Sequence, residues 1–344
     1  MKALVHTAPY VVQLQEWDVP TYGPDDLLVR VKACAICGSD IKGYTGKTGR
    51  RQPPIIMGHE ASGVVEAVGA NVMAFESGDR VCFDSTVYCR RCAYCQSGRP
   101  NMCESRQVVG VSEGTYRRHG AMAEYVVVPY WIAVRMPDRL SFAQAALVET
   151  VSISVHAANR TPVRLNDTVV VVGVGAIGLT ALQAIRLKGA GRVIVTDLSP
   201  WRLDLARQLG ADVAIRADQP DLLERLRDAT GPEGADAVVE AVGIQETVDT
   251  ALEITRKGGS LTLIGNVTPR VELGLQSIVF GEIAVRGTCA SSGEFPDCVT
   301  LVASGRIIVD PLITEHARLE DGQAVFDRLY QGVENSIRTV FIFD

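Results

Sequence analysis

The chain has no window of about 18 uncharged apolar residues, the length an α-helix needs to cross a bilayer. Its opening segment, Met1-Lys-Ala-Leu-Val-His-Thr-Ala-Pro-Tyr10, has no apolar core of signal-peptide length. No basic stretch offers a footprint for nucleic acid, and the net charge of −6 with a pI near 5.5 points away from that class of partner. Charged residues make up only 22% of the chain against 47% hydrophobic, which argues against disorder and for substantial buried cores. Internal repeats and low-complexity linkers are also missing. At 344 residues the chain suits two domains, on a prior of about 100–200 residues each. The nine cysteines are an odd number, and four of them crowd into one stretch. Metal-bound and free thiols in a reducing compartment fit this better than a disulfide scaffold, so a cytoplasmic protein is expected, with no membrane and no nucleic-acid partner.

What is present is informative. Cys89, Cys92, Cys95 and Cys103 fall in the spacing C-x2-C-x2-C-x7-C. Four thiolates on one short loop can close a tetrahedral shell around Zn2+, leaving no open position, so this metal would hold a loop and do no chemistry. Disulfides, free thiols and an iron–sulfur cluster are the alternatives; ferredoxin-type runs share the first three positions but differ in the fourth spacing.

The first third of the chain is rich in short alternating runs broken by glycine and proline: Leu27–Lys32, Ala61–Gly69, Glu124–Val128, and Arg80–Phe83 after a Gly78-Asp79 turn. Such spacing predicts a β-rich, barrel-like region. The texture changes near residue 141, where Ser141 opens a helical segment. From Asp167 strands and helices alternate. Strands are expected at Val169–Val172, Arg192–Asp197, Val213–Ile215, Ala237–Val242, Ser260–Ile264 and Ile283–Arg286. Helices are expected at Ala176–Lys188, Pro200–Leu209, Leu222–Ala229 and Thr247–Arg256. Repeated βα units imply an α/β fold with a doubly wound parallel sheet. A short helix at Pro296–Ala303 and a strand at Arg338–Phe343 close the chain.

Gly173-Val-Gly175-Ala-Ile177-Gly178 reads G-x-G-x-x-G, follows a run of valines and opens a helix, the context that a dinucleotide fingerprint requires. Gly173 permits the tight turn, Gly175 lets pyrophosphate approach the backbone, and Gly178 allows helix and strand to pack closely. Asp197 ends the next strand, where a carboxylate accepts ribose hydroxyls and repels a 2′-phosphate, favouring NAD over NADP. Ile177 within the turn and Arg202, five residues after Asp197, complete the candidate cofactor contacts; Arg202 reads equally as a solvated helix charge.

Taken with Cys37-Gly-Ser39-Asp, Gly58-His59-Glu60 and Leu147-Val-Glu149-Thr, these motifs resemble the zinc-containing medium-chain alcohol dehydrogenases over essentially the whole length. Within that family the chain is most similar to the sorbitol, L-iditol and galactitol-type polyol dehydrogenases. The resemblance implies a GroES-like catalytic domain of residues 1–151 and 292–344, with a zinc lobe at about 87–105 and a Rossmann domain at 152–291. It further implies a catalytic zinc held by Cys37, His59 and Glu149, with Glu60 ligating directly or through water, and Ser39 as first proton acceptor. Two zinc ions per subunit, NAD, a polyol substrate oxidised to a ketose, and a homotetramer or dimer follow from it. L-Threonine 3-dehydrogenase, a 2,3-butanediol-type enzyme and a sugar-alcohol-phosphate dehydrogenase are the enzyme alternatives; an NAD-binding structural protein is the non-enzymatic one.

Some positions depart from the sorbitol-type pattern. Lys42 stands where many relatives have histidine, Ala290 and Ser291 replace an Arg-Tyr pair, and Gly43 with Tyr44 stands where a substrate-facing tyrosine is usual. Ser292 and Glu294 are candidate hydroxyl-binding groups, and Lys42, Arg117 and Arg118 are candidates to meet a phosphate.

Overall fold

A computed structural model describes residues Met1–Asp344. The chain forms two compact units: Met1–Glu149 with Ser291–Gly305 and Val309–Asp344, and Thr150–Ala290 with Arg306–Ile308.

In the first unit a seven-stranded sheet runs in the order Ala133–Arg135, Arg80–Phe83, Glu60–Val68, Asp26–Ala35, Arg338–Ile342, Ile313–Ala317, with Tyr125–Pro129 also paired to Asp26–Ala35. A three-stranded sheet of Val11–Glu16, Lys2–Ala8 and Ile55–Ile56 packs its apolar residues into the same core, which includes Leu4, Val31, Ile56, Phe83, Phe326 and Phe341. Register brings distant residues to one sheet end: Ala35 pairs with both Glu60 and Val340. Cys37 follows the first of these strands, His59 immediately precedes the second, and Arg338 opens the third. The turn that delivers His59 depends on Gly58, at φ +96°; a Cβ there would lie 2.7 Å from Cys34 Sγ and 2.9 Å from the Met122 backbone nitrogen.

The second unit is a six-stranded parallel sheet in the order Val213–Arg216, Arg192–Asp197, Thr168–Val172, Ala235–Glu240, Thr255–Leu263, Ala284–Gly287. Val169, Val170 and Val171 are fully buried, as strands covered on both faces require. The helices Ala176–Leu187, Pro200–Gln208, Leu222–Thr230, Gln245–Ile254 and Leu275–Gly281 alternate with these strands along the chain. One expected helix ends early. Thr255 and Arg256 join the strand Thr255–Leu263, because Thr255 is extended (φ −72°, ψ 122°) and pairs with Ala235. A β-branched residue loses little by leaving a helix for a strand.

Candidate metal centres and nucleotide turn

The four-cysteine loop holds its thiols close together without joining them. All four Sγ atoms lie within 4.8 Å of one another, and the cysteines are free. Cys92 and Cys95 are 3.5 Å apart and Cys89 and Cys95 4.0 Å, far beyond a disulfide bond. Thiolates about 2.3 Å from a central Zn2+ stand about 3.8 Å apart in a tetrahedron, and these separations bracket that value. The Cys89 and Cys92 backbone N–H groups donate to Cys103 Sγ and Cys89 Sγ. Backbone N–H groups pull the Cys92 thiol down to about 6, while desolvation and its neighbours push Cys95 up to about 12. Four sulfur donors this close suit a single cation that would let all of them ionise, and a dication fits the donor set.

The second cluster is Cys37, His59 and Glu60, whose ligand atoms also lie within 4.8 Å of one another. Cys37 is the N-cap of the helix Gly38–Tyr44, so the sequence C-G-S-D closes into a local turn. Asp40 is fully buried; its Oδ2 accepts the Cys37 backbone N–H at 3.1 Å, and its Oδ1 accepts from Arg51 at 3.0 Å. Oδ1 also faces His59 Nδ1 at 3.4 Å, long for a hydrogen bond but close for charges. A carboxylate on Nδ1 fixes the ring so that Nε2 is the atom presented to a metal. Burial alone would raise the Asp40 carboxyl, yet the cationic His59 and Arg51 hold it below the usual range. Burial would likewise lower His59, but Asp40 and Cys37 hold it well above its ordinary value. The surroundings of His59 thus call for positive charge, which a proton or a metal ion can supply.

Glu60 is gripped from both sides. Arg338 Nε and Nη2 each donate to one of its oxygens at 3.1 Å, and both residues are buried. Glu149 stands outside the 4.8 Å set, although His59 and Glu60 both act on its charge. Its Oε1 accepts the Ser85 hydroxyl at 2.8 Å, and burial followed by the charge of Glu60 pushes its carboxyl up to about 7. Ser39 Oγ accepts from Arg51 at 3.1 Å and lies 3.4 Å from His59 Nε2. Sequence reasoning named Cys37, His59, Glu60, Glu149 and Ser39 but missed Asp40, Arg51, Ser85 and Arg338. For Asp40 a signal existed: an acid three residues after an N-cap is a capping pattern.

Other expectations resolve differently. Tyr44 is fully buried with its hydroxyl bonded to the Tyr10 carbonyl and Asp327, so it serves the core. A side chain on Gly43 would meet Arg51 Cδ at 2.7 Å, so Arg51 occupies that space. The proposed phosphate trio does not assemble. Arg117 and Arg118 line a cavity of about 430 Å³ with Trp17 and His119, and Lys42 is not in its lining. Ser292 donates its hydroxyl to the Gly98 carbonyl, 194 residues away, and its backbone N–H to Glu294, so both already have partners within the protein.

In the second unit the glycine turn has the shape the motif needs. Gly173 adopts φ +87°, and a Cβ there would lie 2.3 Å from Val242 Cγ2. A Cβ on Gly178 would lie 1.9 Å from the Gly173 oxygen, whereas one on Gly175 would meet nothing within 4 Å. Gly175 is the N-cap of the helix Ala176–Leu187, so its open side faces unsatisfied N–H groups, a cradle for phosphate. Asp197 accepts the backbone N–H groups of Val174 (2.8 Å) and Ser199 (2.9 Å), which ties the next strand to this turn. Ile177 receives the Ser154 hydroxyl at its carbonyl, and Arg202 sits in the first turn of the helix capped by Ser199.

Comparison with known proteins agrees with this geometry. Residues 23–138 match the alcohol dehydrogenase GroES-like domain and residues 176–304 the zinc-binding dehydrogenase domain. A sorbitol dehydrogenase of Bacillus subtilis is 34% identical over 335 residues, covering 96% of this chain and 94% of that protein. A D-arabitol-phosphate dehydrogenase of Enterococcus avium is 34% identical, covering 97% and 96%. A solved structure from Sinorhizobium meliloti, described as a zinc-binding dehydrogenase bound to NADP, superposes with TM-score 0.92 at 30% identity, covering 99% of both chains.

Metal analysis separates the two centres. Cys92→Ser should remove one zinc per chain and lower the melting temperature, and Cys37→Ser should remove the other with little change in melting. Loss of both ions from either variant would contradict independent sites. Asp197→Ala should erode discrimination against NADP by about tenfold or more in kcat/KM; an unchanged ratio would mean that another group reads the ribose.

Proposed function

The chain belongs to the zinc-binding medium-chain alcohol dehydrogenase family, and we propose that within it the protein oxidises a secondary alcohol of a polyol to a ketone with NAD+. The observation that carries this reading is the Cys37–His59–Glu60 cluster, with His59 and Glu60 buried and Glu149 within charge reach of both, in a unit of GroES-like type in a chain that also carries a dinucleotide-binding sheet. The polyol class is supported by relatives named for sorbitol and D-arabitol phosphate.

Cys37 and His59 would hold the ion with Glu149 or Glu60 as carboxylate donor, and Cys89, Cys92, Cys95 and Cys103 would hold the structural one. A zinc ion at the first site supplies Lewis acidity to a substrate hydroxyl, and NAD+ supplies the hydride acceptor. The chain's own groups do the rest. Asp40 stands 3.4 Å from His59 Nδ1 and orients the ring electrostatically. Arg338 holds Glu60 in place with one guanidinium N–H on each carboxylate oxygen. Ser39 accepts the hydroxyl proton of the substrate. Because Arg51 can only donate, it fills one Ser39 lone pair, leaving the other for the substrate and the serine proton free to pass onward. The second unit would hold the cofactor's pyrophosphate against the Gly173-Val-Gly175 turn and its ribose at Asp197.

We further propose that the protein self-associates, as a dimer or tetramer, through the sheet edge at Ala284–Gly287. That strand has a neighbour on one side only, and Leu275, Val279 and Phe280 near it are 70%, 59% and 76% exposed. An open edge beside exposed apolar residues is a surface that invites pairing. Light scattering should report a multiple of the 37.0 kDa chain mass; a monomer at micromolar concentration would refute this.

The central test follows NADH absorbance against a panel of hexitols, pentitols, tetritols, hexitol phosphates, 2,3-butanediol and L-threonine. Turnover of free polyols is the expected result. Turnover of threonine alone would assign the chain to a different branch of the family.

A further inference from the structure

Beside the metal-binding cluster stands a carboxylate that the mechanism does not use. Asp84 directly follows the strand Arg80–Phe83, and the next residue, Ser85, donates to Glu149. Two donors fix its orientation: the Thr86 backbone N–H on Oδ1 at 2.8 Å and the Ser291 hydroxyl on Oδ2 at 2.5 Å. Ser291 comes from a segment 207 residues away and is buried. A carboxylate has about four acceptor positions, so two remain for a ligand. No cation is among the groups that act most strongly on Asp84; the charged group among them is another carboxylate, Glu294. Asp84 in turn acts on Glu149, which places its charge within electrostatic reach of the metal ligands.

A carboxyl held this way, with no cation beside it, accepts hydrogen bonds from hydroxyls and has nothing to pair with a phosphate. We infer that Asp84, positioned by Ser291, reads a second hydroxyl of the substrate next to the one oxidised, and that the enzyme therefore prefers an uncharged polyol over its phosphate ester. This rests on the polyol-oxidation reading above and narrows it. The arginines first considered for a phosphate, Arg117 and Arg118, line the separate cavity with Trp17, which agrees with a neutral substrate.

The test compares wild type, Asp84→Asn and Asp84→Glu on three probes: a free pentitol or hexitol, its 1-phosphate, and 2-butanol, which has only the reacting hydroxyl. A hydrogen bond to a charged group is worth about 10–100-fold. In Asp84→Asn, kcat/KM for the polyol should fall by about that factor relative to 2-butanol, mainly through KM. The wild-type preference for polyol over phosphate ester should narrow, and Asp84→Glu should restore part of the loss. Calorimetric titration of the polyol into the zinc-loaded protein should show the same weakening. Equal losses on polyol and 2-butanol, or a wild-type preference for the phosphate ester, would overturn the assignment of Asp84 while leaving polyol oxidation intact. A wild type that turns over 2-butanol or threonine but no polyol would refute both.

Discussion

Two guanidinium–carboxylate pairs hold the first unit's site together: Arg51 with Asp40 and Arg338 with Glu60. All four side chains are buried, so each charge has given up water and must be repaid locally. Removing one member of such a pair typically costs about 3–5 kcal/mol, because the survivor is left as an uncompensated charge. These pairs constrain everything around them. Asp40 cannot turn away from His59 without losing Arg51 and the Cys37 backbone N–H, and Glu60 cannot move without stranding Arg338.

The same charges explain why the site suits a dication. Cys37, Glu60 and Glu149 bring a thiol and two carboxyl groups to one region, and burial with the charge of Glu60 pushes Glu149 up to about 7. His59 is held high for the complementary reason. The loop of Cys89, Cys92, Cys95 and Cys103 repeats the principle with sulfur alone, and its shell of four thiols leaves no place for a substrate. In the proposed reading the four-cysteine centre is closed and holds a loop, and the other keeps a position for substrate, with Ser39 near His59 and Ser85 on Glu149.

The nucleotide-binding unit relies on sterics rather than on charge. Gly173 and Gly178 are required because a Cβ would collide with Val242 and with the Gly173 oxygen, and Gly175 because the space above it must stay open. Asp197 serves two roles at once. It ties the strand end to the turn through Val174, and it stands at the strand end where a dinucleotide fingerprint expects the carboxylate that we propose reads the ribose.

Much of this was legible in the sequence because its signals are local. The four cysteines span 15 residues, the glycine turn six, and the strands around it are unbroken β-branched runs. The α/β class, the β-rich first third, the metal loop and the dinucleotide turn all follow from spacing within one or two elements. What pairs with what across the fold did not follow. Arg338 meets Glu60 across 278 residues, Ser291 meets Asp84 across 207, and Ser85 meets Glu149 across 64. Sequence motifs named the chemistry of single residues. Only the register that sets Ala35 against both Glu60 and Val340 decided which buried charges are neutralised, because a buried ion's partner is chosen by proximity in the folded core and not by distance along the chain.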